Sequence, residues 1–314
     1  MTLPGRAADP VTITVWPAAT GRQLVRASLP FPAGFLKEGE LLRAMAGRRA
    51  VILVPRVLTW HLARDGEPRS ARRALITFPY TFTDIQPVRF TLHPEVEKAP
   101  AAHLPVSIHL DGEILILSWR GGPTLKACLL APTRSSEEAP RAETVESGPA
   151  YLWRRYMIAD PQWPRVIEVR ADALGGVVVI AHLQRNLPED GYAPDFGWEV
   201  EGKITSASVQ SGKEEEPEPL VSSFRSHTPS VILLNDQSYQ LYHPAAPFKR
   251  RGRVEAEWRD GKLVYRYFRC VAEEKVPMQP TSWRRAEFVV GPAKLAHFTP
   301  TLLSPHRVQV EERL

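Results

Sequence analysis

Three residues close together in the second half of the chain have side chains able to move a proton or hold an anion, though no motif fixes a reaction: His182, Arg185 and Tyr192. Asp195 and Trp198 follow in the same segment. Together with Arg185 they make a binding set: a guanidinium for an anion, a carboxylate for a hydroxyl and an indole for stacking. Each residue also has a plain structural reading. A histidine ending an apolar strand is ordinarily half-buried and satisfied, Asp195 can cap the turn at Gly197, and Trp198 can be core because tryptophan is heavily buried on average. The catalytic residues therefore stay unassigned, with His182, Arg185 and Tyr192 as candidates, and ligand contact is expected at Arg185, Asp195 and Trp198.

Other chemistries find no support in the sequence. There is no G-x-S-x-G elbow, no phosphate loop and no His-Glu-x-x-His. Gly121-Gly122-Pro123 is a turn, because no helix-forming stretch follows it to complete a phosphate cradle. The nine histidines are scattered, and neither a metal site nor a cofactor is expected. Cys128 and Cys270 lie far apart in apolar strand-like runs, without zinc-ligand spacing. They are expected as buried thiols, with a disulfide between them left undecided by the sequence.

The candidate residues are carried by residues 165–202, where two β-branched runs, 166–170 and 177–182, flank Gly175-Gly176. Two glycines that take positive φ freely make this a hairpin signal, and the polar segment after it is a loop on a rigid support. The rest of the chain has the same character. Its 30 prolines are spread evenly through 314 residues and leave few windows for an uninterrupted helix. Short alternating runs recur between turns, as at 11–16, 22–29, 106–110 with 114–119 around Asp111-Gly112, and 253–259 with 263–270 around Asp260-Gly261. Residues 35–45 are read as a short helix or an irregular crossing, and 50–62 as β split by Pro55. Residues 133–148 contain no large apolar side chain except Val145 and read as a linker, exposed and mobile like 211–219. The expectation is an all-β protein with little helix, comprising a barrel-like domain over 1–132, a linker over 133–148 and a β-sandwich over 149–314.

The net charge of +5 is modest for this length. The densest basic run, Lys249-Arg250-Arg251-Gly252-Arg253, has no nucleic-acid-binding signature beside it and reads as a solvated turn, so no nucleic-acid partner is expected. No run approaches the roughly 18–20 apolar residues of a membrane span, and the first residues lack a secretory pattern. The chain as given is expected in the cytoplasm, away from membranes, and outside the cell only as a piece of a longer precursor.

Leu29-Pro30-Phe31-Pro32-Ala33-Gly34-Phe35-Leu36 resembles the opening segment of the exo-rhamnogalacturonan lyase-like (YetA-like) family. Thr59-Trp60, Asp65-Gly66 and Arg72-Arg73-Ala74-Leu75 look like a stretched form of its Trp-Pro-Asp-Gly-Ser-x-Arg-Trp pattern, with Ala74 in place of an aromatic. Residues 166–182 are similar to its β-sandwich part, where a strand ends in histidine. The resemblance implies a RIFT-related β-barrel followed by a β-sandwich, without the α/α toroid of full-length members. It also implies a carbohydrate-associated role, with acidic pectic oligosaccharide or polysaccharide as ligand. Under it, Arg185 would pair with a uronate, Trp198 or Tyr192 would stack on the sugar and any enzyme activity would be lyase-like, with His182 or Tyr192 as the base that takes the proton beside the carboxylate and Arg185 holding the charge of the enolate. The second class left open is a non-catalytic structural or protein-interaction β module, with a protein partner in a larger assembly.

Overall fold

The computed structural model describes residues 9–17, 19–63, 66–96, 104–129, 140–159, 164–172, 178–185, 196–202, 204–210, 216–226, 230–235, 238–243, 253–259, 262–269, 283–292 and 307–311. Among the described residues there are strands and turns but no α-helix, so the all-β expectation holds. The first strands are β1 (Val11–Trp16), β2 (Gly21–Pro30), β3 (Leu41–Ala46), β4 (Arg49–Leu53), β5 (Arg56–Trp60), β6 (Ala71–Phe82) and β7 (Val88–Glu95). Next come β8 (Val106–Asp111), β9 (Ile114–Trp119), β10 (Thr124–Cys128), β11 (Arg141–Ser147), β12 (Tyr151–Ile158), β13 (Arg165–Asp172), β14 (Val178–Arg185), β15 (Phe196–Glu201) and β16 (Ala207–Gln210). The last are β17 (Glu218–Pro219), β18 (Ser223–Ser226), β19 (Ser230–Leu234), β20 (Tyr239–His243), β21 (Arg253–Arg259), β22 (Lys262–Arg269), β23 (Trp283–Pro292) and β24 (Arg307–Glu311).

The chain divides into two compact units. The first contains Met1–His103, Glu146–Tyr151 and Phe298–Leu314, and the second contains Leu104–Val145 and Leu152–His297. The segment Leu104–Val145, placed by sequence reading in the first domain and the linker, thus belongs to the second unit. Residues 141–147 of the expected linker form β11, an end strand of its sheet. A polar run such as Arg141-Ala-Glu-Thr-Val-Glu-Ser147 suits an exposed edge strand as well as a linker.

In the first unit a five-stranded sheet, β24-β1-β7-β3-β4, and a three-stranded one, β2-β6-β5, share one apolar core. Strand β1 alternates buried and partly exposed residues along its length, because Val11, Ile13 and Val15 point to the core. Phe78 of β6 meets Phe90 of β7 edge to face at 5.2 Å, joining the two sheets. Before β3 the chain makes a turn in place of the short helix read as one option for 35–45. Gly39 takes φ +84°, a value helices do not use, while Phe35 and Leu36 drop into the core. Pro55 separates β4 from β5 as expected.

The second unit pairs a seven-stranded sheet, β18-β21-β22-β15-β10-β9-β8, with a nine-stranded one, β11-β12-β13-β14-β23-β20-β19-β16-β17. Both contribute to a single core, with Leu117, Trp198 and Tyr265 from the first and Tyr156, Ile167 and Ile232 from the second. This is sandwich-like packing of two sheet faces. None of the four sheets closes into a barrel; each order ends in two different strands.

Candidate functional site

Strands β13 and β14 pair antiparallel from Arg165 opposite Gln184 to Ala171 opposite Val178, which is the hairpin that the β-branched runs predict. Its turn, with Gly175 and Gly176, lies outside the described residues, as do Tyr192 and Asp195. His182 and Arg185 stand on β14 opposite Ala286 and Trp283 of β23. Trp198 sits on β15 opposite Tyr265 and is fully buried in the core. An indole with no exposed face cannot stack on a ligand, so Trp198 takes the structural role that was the alternative. Of the expected site residues, Trp198 is thus core, and His182 and Arg185 are placed by strand register.

Groups of the same chemical types converge on β12 and β13. Inward residues of these strands, Tyr156, Ile158, Ile167 and Val169, belong to the core. Alternation therefore turns Trp153, Arg155, Glu168 and Arg170 to the outer face of the nine-stranded sheet. Over the Trp153 ring stand two guanidinium groups, Arg170 with its Cζ 4.8 Å from the ring centroid and Arg155 at 5.8 Å. Glu168 lies between them. Its Oε1 accepts from Arg155 Nε at 3.2 Å and Nη2 at 3.0 Å, and its Oε2 accepts from Arg170 Nη2 at 2.6 Å. From β11, Glu143 reaches Arg155 Nη1 at 3.4 Å. The Glu168 side chain is 11% exposed, against 33% for Arg155, 26% for Arg170 and 49% for Glu143. An inner carboxylate thus fixes two partly exposed guanidiniums against an aromatic ring, and a looser carboxylate covers one outer edge.

Such a surface can present charge-assisted donors to an anion and an apolar ring edge to the body of the same ligand. Sequence reading passed over it because Trp153-Arg154-Arg155 looks like any polar strand. The available signal was Glu168-Val169-Arg170, an acid and a base two residues apart in a strand, hence on one face, beside a strand carrying Trp153 and Arg155.

The outer face of the seven-stranded sheet carries another charged group. Lys262 lies 3.3 Å from Glu201 and 3.4 Å from Glu199, and Lys126 pairs with Glu201. The Lys126 ammonium beside Glu201 holds that carboxyl below its ordinary value, and Glu201 in turn raises Lys262. Two cations and two carboxylates compensate one another, as on an ordinary solvated face. Buried Tyr156 has its phenol pushed up by burial and pulled partly back by Arg154; it belongs to the core rather than to a site.

Cys128, expected buried, lies at an exposed position ending β10, and Cys270 is outside the described residues, as is the basic run up to Gly252. The described residues hold no group of histidine, cysteine and acidic side chains placed for a metal ion. Among them no helix is long and apolar enough to cross a membrane. Of the exposed large apolar residues, Leu58 and Ile114 lie on strands β5 and β9, and Leu62, Ile85, Val96 and Val221 lie between strands. No protein-family model and no curated protein matches the chain.

Proposed function

We propose that this chain is a carbohydrate-associated β-protein whose second unit binds acidic oligosaccharides, of pectic type, on the outer face of β12 and β13 without cleaving them. The observation that carries this reading is the pair of guanidiniums, Arg155 and Arg170, held over Trp153 by the inner carboxylate of Glu168. A uronate carboxylate matches a guanidinium edge, and a sugar ring matches the aromatic beside it. The resemblance of residues 29–36 and 59–75 to exo-rhamnogalacturonan lyase-like proteins supports a pectic ligand. Under it the two sheets of the first unit stand for an opened RIFT-related barrel.

Calorimetric titration with oligogalacturonate and with a neutral galactan tests the reading. Wild type should prefer the acidic glycan, and Trp153→Ala or Arg170→Gln should weaken that binding at least about tenfold, the loss of one charge-assisted or stacking contact. Binding unchanged in both variants would overturn the proposal. Release of an unsaturated product by wild type would replace it with the lyase-like reading.

A further inference from the structure

Resting on the binding reading just given, we infer that Glu143 is a displaceable counter-ion marking where the ligand carboxylate docks, and that it sets how tightly this face takes anions. The two carboxylates around Arg155 differ in every respect that matters. Glu168 is held at 3.0 Å by Arg155 and at 2.6 Å by Arg170, and is 11% exposed. Taking its partners away would leave a half-desolvated charge uncompensated, so it stays. Glu143 touches only the Nη1 edge of Arg155 in this group, at 3.4 Å, and its side chain is 49% exposed. A pair that long and that open to water contributes little to stability and releases at little cost. It projects from β11, the end strand of the sheet. An incoming carboxylate can therefore replace the Glu143 oxygen on Nη1 while Glu168 keeps both guanidiniums aimed at the ring. No covalent step is involved, and one carboxylate exchanges for another.

Two exposed glutamates distinguish this from a general charge effect. Glu143→Gln removes the proposed competitor. Glu113→Gln removes one equal charge from the turn after β8, on the other sheet. Titrated with oligogalacturonate, Glu143→Gln should bind about two- to fivefold tighter than wild type, the range of one exposed ion pair. Glu113→Gln should bind as wild type does, and the neutral galactan should not respond to either change. If Glu143→Gln gains nothing, or both variants gain alike, the counter-ion assignment is overturned while the binding reading stands. If neither wild type nor Glu143→Gln binds the acidic glycan, both are overturned.

Discussion

At the residue scale, the chemistry resides in side chains that fix one another. Arg155 and Arg170 would be mobile cations without Glu168, because each carries about 2 kcal/mol of rotamer entropy that the shared carboxylate removes beforehand. Glu168→Gln should therefore weaken oligogalacturonate binding although it deletes a negative charge, opposite in sign to Glu143→Gln; titration of the two side by side checks this. A second expectation concerns Tyr156. Its phenol is raised above the ordinary 10.0 by burial, so its contribution to stability is fully present below about pH 10 and is lost as pH rises through the folded-state value. Tyr156→Phe should flatten the alkaline fall in the urea midpoint, leaving the acid side unchanged. A slope identical to wild type would show that another group governs it. Trp198 shows why residue types mislead when read alone. An indole near an arginine and an acid has the same signature in a ligand site and in a core, and only its partner across the ladder, Tyr265, decides between them.

At the element scale, alternation was legible and pairing was not. Strand β1 and the β13–β14 hairpin stand where β-branched runs and turn residues put them, because both signals are local. The site was missed since Trp153 and Glu168 meet through β12 lying beside β13, and a period of two says nothing about which strands are neighbours. The same holds for Arg26 of β2, which donates to Glu146 from Nη1 at 2.9 Å and Nη2 at 2.7 Å, contacts Thr77 and stacks over Tyr151 at 4.3 Å. This pair ties residues 146–151 to the first unit. Arg26→Ala should cost about 1–3 kcal/mol in denaturant unfolding, less than a fully buried pair because Arg26 keeps some solvent contact. Within the second unit, the turn between β9 and β10 passes under Tyr239 of β20, and a Cβ on Gly122 would run into that phenol ring. Gly122→Ala should destabilise by about 1–3 kcal/mol, with most of it recovered in the Gly122→Ala, Tyr239→Ala double variant beyond the single costs.

At the scale of the whole molecule, the order of units along the chain was the least legible feature. The second unit interrupts the first, whose five-stranded sheet takes β24 from residues 307–311 beside β1. Nothing in the composition of residues 307–311 announces a strand partner nearly three hundred residues earlier. Removal of residues 298–314 should leave β1 an unprotected edge and lower the unfolding midpoint of the first unit, with the second unit's core transition unchanged. Hydrogen exchange resolved by segment would report the two separately. The binding reading makes one demand on the molecule as a whole: the ligand must settle on β12 and β13 of the second unit and nowhere else. The most direct measurement is a nuclear magnetic resonance titration of the full chain with oligogalacturonate, following the tryptophan indole and arginine Nε signals, assigned by single substitution. The expected result is saturable shifts at Trp153, Arg155 and Arg170 with Trp119 and Trp198 unmoved. Shifts that leave Trp153, Arg155 and Arg170 in place while other residues respond would contradict it.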